Sequence, residues 1–396
     1  MSVAVSFSTI PEMFYKLTER FGNDSRPMLQ HKISGSYVGF SYREIRLQVD
    51  AFAAGLSALG VRAGDRVGII AENRPEWVVS DQAIAVLGAV SVPVYPTMSA
   101  RQTEFIFQDA GVSVAIVSNL FQYNKVAKVR PSLKHLKSVI IMTEKDGQPV
   151  EDAIGFSTVI ANGQDVLQRI PTLIEDALKK VRPSDLLTII YTSGTTGNPK
   201  GVMLTHTNLV SNVIACSSML DFGPSDTLLS FLPLSHTFER MAGYYTIMAC
   251  GVTIAYAESV ETVRDNLKEV RPTIVTTVPR LFERIHSRIM KQIDSAPTYK
   301  QNIFRWALEV GHEYAHAQRM GGASPALAAK RLLADRLVFA KLREATGGRI
   351  RFFVSGGAPL AREFGEFFEA VGLTILEGYG LTESSPAIAL NELGMY

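Results

Sequence analysis

Short apolar runs rich in β-branched residues recur along this sequence, and amphipathic stretches of helical period separate most of them. That alternation restricts the fold more than any other feature, because strands alternating with helices pack as parallel sheets covered on both faces. RVGIIA (66–71), SVPV (91–94), VSVAIV (112–117) and VIIM (139–142) form a first set. LLTIIY (186–191), VTIAYA (252–257), TIVTTV (273–278), IRFFV (350–354) and LTIL (373–376) form a second. So many strands exceed one tidy sheet. The expected fold is α/β, with two layered α/β subdomains whose sheets are largely parallel. The subdomain-level halves are expected near residues 1–180 and 181–396, divided within the polar stretch 144–185. Residues 297–343 carry Ala, Leu, Lys and Arg at helical spacing and read as a helical excursion, with two helices around Gly321 and Gly322. Asn73 reads as the cap of a helix opened by Pro75. Ser99 with Gln102 reads as a capping box for a helix ended by Gly111.

The charges nearly cancel, 40 Lys+Arg against 38 Asp+Glu, so no electrostatic footprint for nucleic acid is present. A locally basic helix face is compatible with that balance. Two cysteines, Cys216 and Cys250, lie far apart among small or apolar neighbours, a pattern of buried thiols in a reducing compartment rather than a disulfide framework. The first residues lack a basic segment followed by an apolar one, and no apolar run of about 18 residues occurs. A cytoplasmic location is therefore expected, with peripheral contact at a membrane surface left open.

YTSGTTGNPKG (191–201) directly follows an apolar strand. Its glycines let backbone N–H groups approach a polyanion, its hydroxyls donate to phosphate oxygens, and Lys200 supplies a mobile cation. The Walker spacing cannot be fitted around Lys200. The plain alternative is a flexible surface turn of small residues. EGYGLTESS (377–385) follows another strand, where ligands gather in open α/β sheets. There Glu383 could serve Mg²⁺ as a hard carboxylate ligand, with the Thr382 hydroxyl beside it. Ser355-Gly356-Gly357-Ala358, after a third strand, offers a side-chain-poor surface suited to a purine. LPLSHTFER (232–240) sets His236 and Phe238 at a strand end entering a helix, where a lone histidine is by default structural.

Together YTSGTTGNPKG and EGYGLTESS resemble the signature elements of the acyl-adenylate-forming, AMP-binding enzyme superfamily. LPLSHTFER and TTVPRLFE (276–283) are similar to the corresponding segments of long-chain fatty acyl-CoA synthetases. The resemblance runs from about residue 14 to 390. It implies that Thr192, Ser193, Gly194, Thr195, Thr196, Gly197 and Lys200 line the triphosphate of ATP, with Thr195 and Glu383 nearest the metal. It further implies that Gly356, Gly357, Ala358, Glu377, Gly378, Tyr379 and Thr382 surround the base and α-phosphate. Lys200, Thr382, Glu383 and His236 would carry the chemistry, with His236 beside the acyl carboxylate.

The implied reaction joins a fatty acid, expected to be long-chain, to CoA at the expense of ATP, through an acyl-adenylate and with Mg²⁺. Lining for the acyl chain is expected near residues 238–245 and in the helical excursion, although those aromatics read first as ordinary core. In that family a ribose-binding acid and a lysine-bearing C-terminal domain follow the EGYGLTESS element. The chain is thus expected to be a truncated N-terminal domain, unequal by itself to the full reaction. An adenylating domain for another acid or a carrier-protein acceptor, and a non-catalytic nucleotide-binding module, remain alternatives.

Overall fold

The computed structural model describes residues 3–143, 150–192 and 198–391. In chain order the strands are β1 (Leu29–Ile33), β2 (Ser36–Phe40), β3 (Arg66–Ile70), β4 (Val90–Val94), β5 (Val112–Val117), β6 (Ser138–Ile141), β7 (Ile154–Gly155), β8 (Leu186–Thr192) and β9 (Lys200–Thr205). They continue with β10 (Thr227–Ser230), β11 (Thr253–Tyr256), β12 (Ile274–Thr277), β13 (Phe352–Ser355), β14 (Thr374–Gly380) and β15 (Ala387–Leu390).

Two sheets result. One has the order β7-β6-β5-β3-β4-β8-β9, the other β15-β14-β13-β12-β10-β11-β1-β2. The pairs β1–β2, β8–β9 and β14–β15 are antiparallel, and the remaining pairs are parallel. Antiparallel pairing therefore occurs at sheet edges, while β3, β4, β10, β12 and β13 sit inside and are almost wholly buried, as strands covered on both faces must be.

Sheet membership does not follow a division at 144–185. The β8–β9 hairpin belongs to the first sheet although it lies beyond that stretch, and the β1–β2 hairpin belongs to the second sheet although it lies near the N-terminus. Nor do residues 154–185 act as a spacer. They include β7 and the helix Phe156–Arg169, which packs across the helix Tyr42–Ala58. Phe156 stacks on Phe52 with ring centroids 4.2 Å apart, and a Cβ at Gly163 would lie 1.7 Å from the Ala51 carbonyl oxygen. Polar residues on this helix face outward, and only glycine permits so close a helix crossing.

Local signals elsewhere act as their chemistry requires. Ser99 and Gln102 form a capping box, and Gly111 closes that helix at φ +63°. The helical excursion comprises Thr298–Arg319 and Pro325–Ala334, continuing through Asp335–Phe339 to Ala340–Glu344, with Gly321 and Gly322 at positive φ between them. Asn73, by contrast, does not cap the helix Pro75–Val86, whose N-cap is Arg74. Its amide donates to Ser230 Oγ at 3.1 Å and to the Leu232 carbonyl at 2.7 Å, and its Oδ1 accepts from the Leu234 N–H at 2.9 Å. A residue between β3 and this helix of the first sheet thus holds the loop that follows β10 of the second.

Candidate active site between the two sheets

The LPLSHTFER segment leaves β10, turns at Leu234 and Ser235, and enters a π-helical stretch, Glu239–Tyr245, before the short helix Thr246–Ala249. Such wide turns recur at functional sites because they re-aim side chains relative to a regular helix. From this stretch Glu239 and Arg240 reach opposite sides. Both Glu239 carboxylate oxygens accept hydroxyl hydrogen bonds at 2.6 Å, one from Ser230 on β10 and one from Thr276 on β12. Gly243, one turn on, is bare where a Cβ would press on that carboxylate at 2.5 Å. Glu239 is fully buried, and burial pushes its carboxyl up to about 7 against the two hydroxyl bonds that favour the anion.

Arg240 points into the first sheet. Its guanidinium bonds Asp81, Ser91 Oγ at 2.7 Å and Thr188 Oγ1 at 2.7 Å, and Tyr245 OH bonds the other Asp81 oxygen at 2.6 Å. Arg240 and Asp81 have side-chain exposures of 1% and 0%, so this charge pair is isolated from water. Opposite charge is the reason Asp81 is tolerated in a helix buried on all sides.

His236, at the start of the segment, is held by its own backbone. The Phe238 N–H donates to His236 Nδ1 at 3.1 Å, which leaves the ring proton on Nε2, and the Tyr95 ring meets the imidazole edge-on at 6.3 Å. Burial holds its pKa below the usual histidine value, favouring a neutral donor.

These residues border a cavity of about 300 Å³. At its mouth stand Tyr379, 67% exposed, with Leu381 and Glu383. Buried apolar residues, including Met241, Ile247, Ile274 and Val354, form its interior, and Leu220 and Phe222 wall it off from an outer groove lined by Val3, Ala4 and Arg20. Cys216 also lines the cavity. It is half-buried rather than buried, and burial pushes its thiol up to about 11, so it presents an unionised, weakly nucleophilic group.

Of the residues singled out in the sequence, Thr192, His236, Gly357, Gly378, Tyr379, Thr382 and Glu383 all line this one cavity. Thr192 and Lys200 face each other as antiparallel partners at the end of β8 and the start of β9. Ser193, Gly194, Thr195, Thr196 and Gly197, between them, lie outside the described residues. Lys200 is exposed and is not among the lining residues.

Gly356 is buried under the Phe238 ring, 2.9 Å from where a Cβ would stand, and serves packing rather than a cavity wall. Ala358 is exposed outside the lining. Glu377 is engaged elsewhere, its carboxylate accepting the Leu360 N–H at 3.2 Å and so tying β14 to the turn after β13. Gly201 answers to packing as well, since a Cβ there would meet Ile189 and the ring of Tyr191, whose hydroxyl donates to Asp109 at 2.5 Å. The helical excursion contributes nothing to the cavity wall, and Tyr244 and Tyr245 are core.

Glu239, Arg240 and Asp81 did not stand out in the sequence, and Asn73 stood out only as a helix cap. A charged pair inside an otherwise apolar segment was the available signal for the first two.

Among the described residues no group of three or more His, Cys, Asp or Glu side chains could enclose a metal. An exposed Glu383 beside Thr382 instead suits a divalent ion that takes its other ligands from phosphates and water. The open aromatic face of Tyr379 and the bare Gly357, at φ +80°, leave room for a flat heterocycle.

A family model described as AMP-binding enzyme matches residues 21–395. The long-chain-fatty-acid–CoA ligase FadD15 of Mycobacterium tuberculosis is 35% identical over 378 residues, which cover 92% of this chain and 59% of that protein. The peroxisomal long chain acyl-CoA synthetase 7 of Arabidopsis thaliana is 34% identical over 364 residues, covering 91% of this chain and 50% of that one. The chain thus spans between half and three-fifths of the length of these relatives. Among solved structures, a long-chain-fatty-acid-CoA ligase (FadD1) from Archaeoglobus fulgidus superposes with a TM-score of 0.71 at 19% identity, over 97% of this chain and 66% of that one. The anthranilate CoA ligase AuaEII, solved with anthranoyl-AMP, gives 0.69 at 19% identity, over 98% and 62%. At such identities the structural likeness speaks to the fold.

Proposed function

Because the chain belongs to the AMP-binding enzyme family, we propose that it carries the nucleotide- and acid-binding portion of an ATP-dependent, AMP-forming acid:CoA ligase acting on a fatty acid. The observation that supports this reading is the single cavity with two chemical ends. Its exposed mouth carries Tyr379, Thr382 and Glu383, its buried interior is apolar, and a neutral His236 lines the same space. An amphiphile with one carboxylate and one apolar tail fits that division, and a nucleotide fits the mouth. The relatives' names, long-chain-fatty-acid–CoA ligase and long chain acyl-CoA synthetase, point to the same substrate class.

In this reading the acid's carboxylate oxygen attacks the α-phosphorus of ATP, and the bond to pyrophosphate breaks. The CoA thiol then attacks the acyl carbonyl and AMP leaves. The task is to bring two anions together. Lys200 at the start of β9 lies across from Thr192 at the cavity edge, where its ammonium can reach the leaving pyrophosphate. His236 Nε2–H donates to the carboxylate without adding a charge, and the Thr382 hydroxyl donates to an α-phosphate or carboxylate oxygen. Glu383 would hold Mg²⁺, which supplies charge neutralisation to the phosphates. Seating both reactants in one cavity removes most of the entropic cost of their encounter.

A stable acyl-sulfamoyl adenosine with a palmitoyl tail tests the shared cavity by calorimetry. It should bind this chain at least ~100-fold tighter than AMP, as a mimic that joins both ends gains both sets of contacts. Equal affinity for the analogue without its tail would remove the fatty-acid reading.

A further inference from the structure

The helix Pro325–Ala334 and its continuation Asp335–Phe339 lie on the surface of the helical excursion. Their inner face is used in packing. Ala334 and Phe339 are buried, Arg331 donates to the Ala370 carbonyl at 2.8 Å, and the segment's single acid, Asp335, pairs with Arg343 at 2.7 Å. The outer face is unusual in what it exposes. Leu332, Leu333 and Leu337 are 73%, 50% and 43% exposed, and every other exposed position from 325 to 337 is Lys330, Arg336, alanine or proline. Met320, at the end of the preceding helix, adds a side chain 77% exposed. Among the described residues neither Lys330 nor Arg336 forms an ion pair.

Three leucines standing in water with two unpaired cations between them, and no acid on that face, describe a surface for an anionic, partly apolar partner. The chain as a whole is close to neutral at +2, so the basic character is local to this helix. A bilayer interface rewards this composition, because leucines enter the acyl boundary while Lys and Arg stems carry their charges to the phosphates. No helix among the described residues is long and apolar enough to cross a membrane, so the contact lies in the plane of the surface.

We propose that the 325–337 face docks this protein on membranes rich in anionic phospholipid, with Leu332, Leu333 and Leu337 as the inserted side chains and Lys330 and Arg336 as the headgroup contacts. This goes beyond the proposed reaction and does not depend on it.

The test is co-sedimentation of this chain with phosphatidylcholine vesicles, with and without about 30% phosphatidylglycerol, at low and high salt. Binding to the anionic vesicles alone, weakened by salt, is expected. Lys330→Glu with Arg336→Glu should lower the partition coefficient roughly 25-fold or more, about fivefold for each lost cation. Leu332→Ser with Leu333→Ser should abolish binding. All four positions are exposed, so melting temperatures should be unchanged, and the two variants fail in different ways if folding is not the cause. Three results would overturn the proposal: no sedimentation of the unmodified chain, equal sedimentation of the variants, or a concentration-dependent dimer that the leucine variant loses while vesicles are ignored. The last would assign the face to a second copy of this chain.

Discussion

Glu239 and Arg240 are adjacent in the chain, yet Glu239 is bonded to strands of the second sheet and Arg240 to strands and a helix of the first. Two consecutive buried polar side chains therefore fix how the cavity segment, from His236 to Ile247, lies between the sheets.

Breaking the Arg240 side of that junction should be costly. Arg240→Met leaves Asp81 fully buried with Tyr245 as its remaining close partner. The expected loss is about 3–5 kcal/mol in urea unfolding, because an uncompensated buried charge remains. Adding Asp81→Leu should recover much of it, since the orphaned charge is then gone. A single variant within about 1 kcal/mol of the parent would show that the pair does not hold the junction.

Glu239 should impose a pH dependence of definite sign. Its carboxyl sits at about 7 in the folded protein against 4.5 ordinarily, so the folded state keeps a proton that the unfolded state releases. The associated stability is complete below about 4.5, falls as pH rises toward 7, and is level above that. The decline amounts to something on the order of 3 kcal/mol. Glu239→Gln removes the titrating group while keeping the shape. The difference between parent and variant, measured by denaturant unfolding from pH 4 to 8, should carry the whole decline; a constant difference would mean that Glu239 is already ionised.

At the cavity mouth, Lys200→Ala should weaken MgATP binding about ten- to a hundredfold, the worth of one charge-assisted phosphate contact. Glu383→Gln should raise the Mg²⁺ concentration needed for ATP binding. Both side chains are exposed, so melting temperatures without ligand should stay close to the parent's. Calorimetric titrations that give parental affinities for both variants would take these residues out of the nucleotide site.

Leu220 and Phe222 border both the inner cavity and the outer groove, so they should limit acyl length. Phe222 is anchored by an edge contact with Phe352 at 5.8 Å. Leu220→Ala or Phe222→Ala should move the preferred acid toward longer chains by joining the two spaces, and Phe222→Trp should move it toward shorter ones. Affinities for acids of increasing length report this directly. A parallel loss at every length would make the wall structural only, whereas no binding of any acid to the parent would reject the fatty-acid reading itself.

Much of this molecule was legible before any fold was known. Apolar runs such as VSVAIV and VIIM become buried parallel strands because a segment covered on both faces can bury little else. Ser99, Gln102 and Gly111 act within a few residues of themselves, so local chemistry suffices for their helix. The GYGLTE element could be placed at the cavity because strand ends gather ligands and its residues follow one another in the chain.

What only the tertiary structure decided depends on partners distant in sequence. Which sheet each terminal hairpin joins is a matter of pairing, and local propensity is the same for either choice. Asn73 looks like a cap until Ser230 and Leu234 compete successfully for its amide. Gly201 and Gly356 look like phosphate or purine glycines, but Tyr191 and Phe238 occupy the space their missing side chains leave. Glu239 and Arg240 carry no motif of their own in the sequence; burial, which no linear pattern encodes, turns one into a proton-holding carboxyl and the other into the tie between sheets.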